Sequence, residues 1–195
     1  MNWLWKPKTP APQKWMISIF LLSLIGALPP MLWRSFAPAA HWQLQSLYGA
    51  LLLTTAGGLW LRSLYRRKLW RPAGPWTDYS PIKCWLMTML CACFFFFFLW
   101  LNLVATLPMA YTRMMGNEVV FTGTAEKKRG SGRHACRQQL KLPDIHYILF
   151  EFCLNEDSFS ELPDGPLPAR ISARQSYFGS SIHTIELAVP RAQWP

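Results

Sequence analysis

Negative charge is nearly absent from the first 110 residues of this chain, where Asp78 is the only acidic side chain against ten Lys or Arg. The other nine acids fall at or after Glu118, and the ten further basic residues of 111–195 nearly balance them. Three long stretches in the N-terminal part have no charged residue at their centre. An excess of positive charge beside apolar runs is the pattern of membrane topology, whereas a nucleic-acid binder carries its excess on a folded surface. No nucleic-acid partner is therefore expected. Glycine-rich phosphate loops, a Rossmann glycine pattern and a G-x-S-x-G nucleophile elbow are all missing. No enzyme activity and no cofactor is expected. Of five cysteines, three (Cys84, Cys91, Cys93) lie in or beside an apolar run.

What is present divides along the chain. Residues 1–14 form a Pro-rich tail with Lys6, Lys8 and Lys14. Residues 15–33 and 42–60 form two apolar spans, each bounded by tryptophans 18 residues apart. That spacing is about 27 Å at helical rise and matches the hydrocarbon thickness of a bilayer. The first span also has the look of a signal peptide, with a small-x-small site at Ala37–Ala39–Ala40. A retained helix is expected, because further spans follow. Pro29 and Pro30 should end or kink it. In the second span, Ser46, Ala50, Thr54 and Gly58 recur every four residues, a small-residue face suited to helix packing.

Residues 61–83 form a basic loop with Arg62, Arg66, Arg67, Lys68, Arg71 and Lys83 against one acid. Residues 84–110 form the third and most apolar span, with Asn102, Thr106 and Pro108 near its far end. The tail and the basic loop outweigh the 34–41 loop in positive charge. The positive-inside rule then places the N-terminus in the cytoplasm and residues 111–195 outside. The fold expected is three transmembrane helices plus a small all-β domain.

That domain should hold about five strands in a sandwich or partly open barrel. Glu118–Glu126 is β-branched, KKRGSGR reads as a turn, and His134–Leu142 alternates. Ile145–Leu154 is the most apolar candidate and is expected to lie centrally. FSEL is one helical turn and PDGPLP a loop. Arg170–Tyr177 and Ser181–Val189 complete the set, with a bulge near His183 because Ile182 is out of phase. Eighty-five residues bury a marginal core, and Cys136 and Cys153 in an oxidising compartment most simply pair as a disulfide.

Three constellations carry residue types capable of chemistry. His134, Cys136, His146, Cys153 and His183 lack the close repeated spacing of zinc sites. Cys91 and Cys93, two apart on a helix, point in different directions. Ser158, Ser160, Ser176, Ser180, His146, His183, Asp144 and Glu186 carry no nucleophile signature. Contact candidates are strand edges, the loop around PDGPLP and the stretch YFGSSIHTIEL. The F-T-G-T-A-x-K start (Phe121 to Lys127), the two spaced cysteines and the S-Y-F-G turn (Ser176 to Gly179) resemble uncharacterised small bacterial inner-membrane proteins with a periplasmic domain. Some proteins of that layout are immunity proteins against envelope-targeted toxins. The resemblance implies a non-catalytic multi-pass protein whose partners are the lipid bilayer and a protein. The alternative is an accessory subunit of a membrane complex, recognised through its helices.

Overall fold

The computed structural model describes residues 11–70, 79–129, 137–143, 145, 147, 150, 152–163 and 165–187. The chain forms two units, one of Met1–Leu28 with Gln43–Thr106 and one of Pro29–Trp42 with Leu107–Pro195.

The first unit is helical, and two short helices that continue its own, at Leu28–Leu32 and Leu107–Met115, belong almost wholly to the second unit. Helix α1 runs Ala11–Gly26, and a five-residue α2 (Leu28–Leu32) follows at the Pro29–Pro30 pair. Prolines carry no N–H, so the carbonyls of Ile25 and Gly26 lose the donors that would lie four residues on. Helix α3 spans Ala40–Arg66, longer than the expected 42–60 at both ends. Helix α4 spans Pro81–Leu101, with Pro81 in its first turn, where a missing N–H costs nothing. Residues Asn102–Thr106 widen into a π turn. Pro108 supplies the reason: it offers no N–H to the Val104 carbonyl, and its ring presses on that carbonyl from the next turn. The helix then resumes as α5 (Leu107–Met115).

Two of these helical stretches are long and apolar enough to cross a bilayer, Ala11–Leu32 and Pro81–Met115. The third expected span, residues 42–60 within α3, is not among them. The 27-residue α3 is long enough, but its ends carry His41, Gln43, Gln45, Arg62 and Arg66, which dilute its apolar character.

The second unit is a six-stranded antiparallel sheet that curls into a half-barrel, in the order β1-β6-β5-β2-β3-β4. The strands are β1 (Phe36–Pro38), β2 (Asn117–Arg129), β3 (Gln138–Lys141), β4 (Phe152–Cys153), β5 (Pro166–Ser176) and β6 (Gly179–Leu187). Five strands were expected. The sixth, β1, comes from the short loop after α2. It pairs with β6 in the register Phe36↔Ser181, Ala37↔Ser180, Pro38↔Gly179. Pro38 is tolerated because β1 is an edge strand.

The centre of the sheet is β5 and β2, paired over ten positions from Asn117↔Gln175 to Glu126↔Pro166. The apolar segment 145–154 does not lie centrally; its paired residues, Phe152 and Cys153, form the edge strand β4. Its other described apolar residues, Ile145, Phe150 and Leu154, pack against the core. β5 begins at Pro166, so the PLP of PDGPLP belongs to a strand and not to a loop. The helical turn at FSEL is α6 (Glu156–Glu161), capped by the Asn155 side chain. The turn KKRGSGR lies largely outside the described residues, and its first three residues extend β2.

Odd-numbered β5 residues Leu167, Ala169, Ile171 and Ala173 face the core, with Ala125, Leu140, Leu142, Leu162 and Ile182. β6 changes phase where Ser172 pairs with Thr184 and Ala173 with Ile182. His183 is the extra residue, so the bulge stands where the hydrophobic phase placed it.

Candidate interaction surfaces

Within the helical unit, the predicted small-residue face is partly displaced. Ser46 and Ala50 are buried, Thr54 is half-buried, and Gly58 is exposed with nothing within 4 Å of where a Cβ would stand. Gly57 takes its place, with a Cβ position 3.8 Å from the Phe95 ring. The reason is helical arithmetic: three steps of four residues drift about 120° from the start, and a closing step of three returns to within about 20°. The run 46–50–54–57 is one face; 58 is off it.

The polar residues near the end of the third apolar run have definite partners. Asn102 Nδ2 donates to the Ser23 carbonyl at 2.7 Å and to the Phe98 carbonyl at 2.7 Å. Thr106 Oγ1 donates to the Gly26 carbonyl at 2.6 Å. This is one of the carbonyls that the prolines strand, so a hydroxyl from the π turn satisfies what Pro30 cannot. A Cβ on Gly26 would overlap Asn102 Oδ1. Asn102 was legible as a helix-bonding residue; the role of Thr106 and Gly26 was not, because it depends on which helices meet.

Within the β unit, the S-Y-F-G turn is packed at one end of the sheet. Phe178 lies edge-on to Trp42 (centroids 4.6 Å apart) and to Tyr111 (5.3 Å). His41 lies against Tyr177 at 4.7 Å, and the Arg113 guanidinium sits 5.5 Å from the Trp33 ring centroid. Thr112, fully buried, shares a 2.6 Å hydrogen bond with the Ser176 hydroxyl, which also accepts from the Phe178 N–H. Arg174 donates to the Arg113 carbonyl at the end of α5. Gly179 has φ +152 and lies so close to Phe36, Ala37 and Pro38 that any Cβ would collide with them. The Phe178–Gly179 part of this candidate contact stretch is thus a packing element, and Tyr177 keeps an exposed face.

The opposite face of the β2–β5–β6 ladder remains open. It presents Glu118, Val120, Thr122 and Thr124 from β2, Arg170 and Arg174 from β5, and Thr184 and Glu186 from β6. Val120 is 54% exposed at its middle. Arg174 and Glu118 form an exposed ion pair at 3.3 Å, worth little to stability.

No group of three or more His, Cys, Asp or Glu that could hold a metal occurs among the described residues. His134, Cys136, Asp144 and His146 lie outside them, as do Arg71 of the basic loop and Asp164 of PDGPLP. Arg62 and Arg66 belong to the last turns of α3, Arg67 and Lys68 to the turn after it, and Lys83 to the first turn of α4. Cys84, Cys91 and Cys93 form no disulfide, and the Cys84 thiol donates to the Tyr79 carbonyl. Cys153 sits on β4 opposite Gln139. Comparison with protein-family models, curated proteins and solved structures finds no match for this chain.

Proposed function

We propose that this chain is a non-catalytic protein of the bacterial inner membrane. It presents a disulfide-stapled periplasmic β-domain to a protein partner and serves as an immunity protein against an envelope-targeted toxin. The observation that carries the membrane layout is the pairing of β1 with β6. The segment between the first two apolar helices is built into the same sheet as the C-terminal strands. Both must therefore lie on one side of a bilayer. Three spans with a cytoplasmic N-terminus meet that requirement, with α3 as the returning span. The apolar side chains exposed on the helices support it, among them Leu22, Leu52, Leu59, Trp85 and Phe94, each more than half exposed.

The staple is Cys136–Cys153. Both cysteines lie in the unit read as periplasmic, and two cysteines in an oxidising compartment most simply pair. The surface offered to the partner is the ladder face around Val120. The alternative, recognition through α3, is less favoured because Ser46 and Ala50 are already buried within the chain.

A membrane-impermeant thiol reagent tests the topology. After reduction of intact cells it should label Cys136 and Cys153 and leave Cys84 unlabelled; labelling of Cys84 overturns the orientation. For function, cells expressing the full chain are challenged with envelope-targeted toxins from competing strains. Protection that Val120→Arg abolishes and Gly58→Leu leaves intact supports the reading. Protection lost with Gly58→Leu and kept with Val120→Arg transfers recognition to the helices.

A further inference from the structure

We propose that the C-terminal end of α3 is a seat for the phosphate headgroups of anionic glycerophospholipids, with Arg62, Arg66, Arg67 and Lys68 as its cations; this rests on the membrane reading above. All four side chains are exposed, within seven residues of one another. Arg62 and Arg66 stand one helical turn apart on one face. The first acid after them in sequence is Asp78, ten residues beyond Lys68.

The way the helix ends is the second observation. Leu69 N–H bonds the Leu64 carbonyl at 3.1 Å, and Lys68 N–H bonds the Tyr65 carbonyl at 3.1 Å. This is a Schellman closure, whose reversing residue is usually glycine. Here it is Lys68, at φ 58, alone among described non-glycine residues in having positive φ. A residue with a Cβ is strained there, and such strain persists where the side chain has a use. Sorting by positive charge alone does not explain it, because a lysine one residue away would sort as well without strain. The reversal also brings Trp70 edge-on to Tyr65, centroids 6.4 Å apart. An aromatic pair beside a cation cluster is the composition of a headgroup-level surface.

The test uses the full chain in a neutral detergent, with phosphatidylglycerol and phosphatidylcholine as probes and native mass spectrometry as the readout. Wild type should retain phosphatidylglycerol selectively, and each neutralised cation (Arg62→Gln, Arg66→Gln) should weaken its binding about fivefold. Lys68→Gly separates use from strain: the thermal midpoint should rise while phosphatidylglycerol binding falls about fivefold. Lys68→Arg should keep the binding. Equal retention of the two lipids by wild type overturns the proposal, as does a Lys68→Gly chain that is stabilised with binding unchanged. Stronger capture of a single-stranded RNA than of the lipid also overturns it. If the chain fails to float with phosphatidylcholine vesicles, the membrane reading itself fails; floating without headgroup preference defeats the seat alone.

Discussion

Gly26 and Asn102 meet where side chains from the π turn donate to carbonyls of α1, and a single methyl group tests that junction. Gly26→Ala places its Cβ on Asn102 Oδ1. Either the helices separate or Asn102 turns away from the Ser23 and Phe98 carbonyls. The expected cost is about 1–3 kcal/mol, in the range of overpacking. It should be read as a lowered thermal midpoint in detergent. Adding Asn102→Ala should recover part of it, so the double-mutant cycle should show coupling.

Tyr147 makes a second residue-scale prediction. Burial pushes its hydroxyl up to about 12, and that hydroxyl has no hydrogen-bond partner among the described residues. The folded chain therefore holds the proton where the unfolded chain releases it, from about pH 10 upward. Stability tied to Tyr147 is fully present below pH 10 and is lost as pH rises toward 12. Tyr147→Phe should flatten that decline in a pH series of unfolding midpoints. At neutral pH it should be neutral or mildly stabilising, because it removes an unsatisfied buried group.

At the scale of elements, β1 is the part most sensitive to one position. Three residues of edge strand hold little by themselves. Docking depends on Gly179, whose missing Cβ lets Phe36, Ala37 and Pro38 approach. Gly179→Ala combines a strained φ with a steric clash. It should free β1 and expose the β6 edge, read as faster proteolysis between residues 33 and 42 with the β2–β5 ladder still protected. Thr112→Val breaks the hydroxyl pair with Ser176 without changing shape. It should cost about 1 kcal/mol or somewhat more, because the Ser176 hydroxyl loses a buried partner.

Most helices and the longer strands could be read locally. Apolar run length placed α1, α3 and α4, β-branched composition placed β2, and alternation placed β3 and β6. Element ends and rank within the sheet could not be read this way. The segment 145–154 is the most apolar of the strand candidates, yet it ends at the sheet edge, because apolar side chains serve equally well in a strand and in a segment covering the core. Gly58 and Gly57 are equivalent by composition; only the 100° advance per residue separates them.

For the whole molecule, β1 makes the β unit discontinuous in sequence. Residues 107–195 expressed alone lack Phe36–Pro38 and the Trp33, His41 and Trp42 rings. The β6 edge and the Phe178 side chain would then be open. That fragment should be less soluble and melt lower than one in which residues 29–42 are supplied by fusion. Edge strands left unpaired template association, so size-exclusion chromatography should show the difference.

Charge placement, the three apolar runs, the β-rich C-terminal part and the bulge at His183 follow from the sequence alone. Each is a property of neighbours along the chain: hydropathy over a window, a period of two, a phase slip of one. The tertiary structure decided that a three-residue loop strand completes the sheet and that Thr106 serves a carbonyl stranded by Pro30. It likewise decided that the S-Y-F-G turn is packed among aromatics from two distant segments. These are contacts between positions up to about 145 residues apart. No local pattern encodes them, because each half alone is an ordinary Pro-rich loop, a polar residue in a helix or a glycine turn.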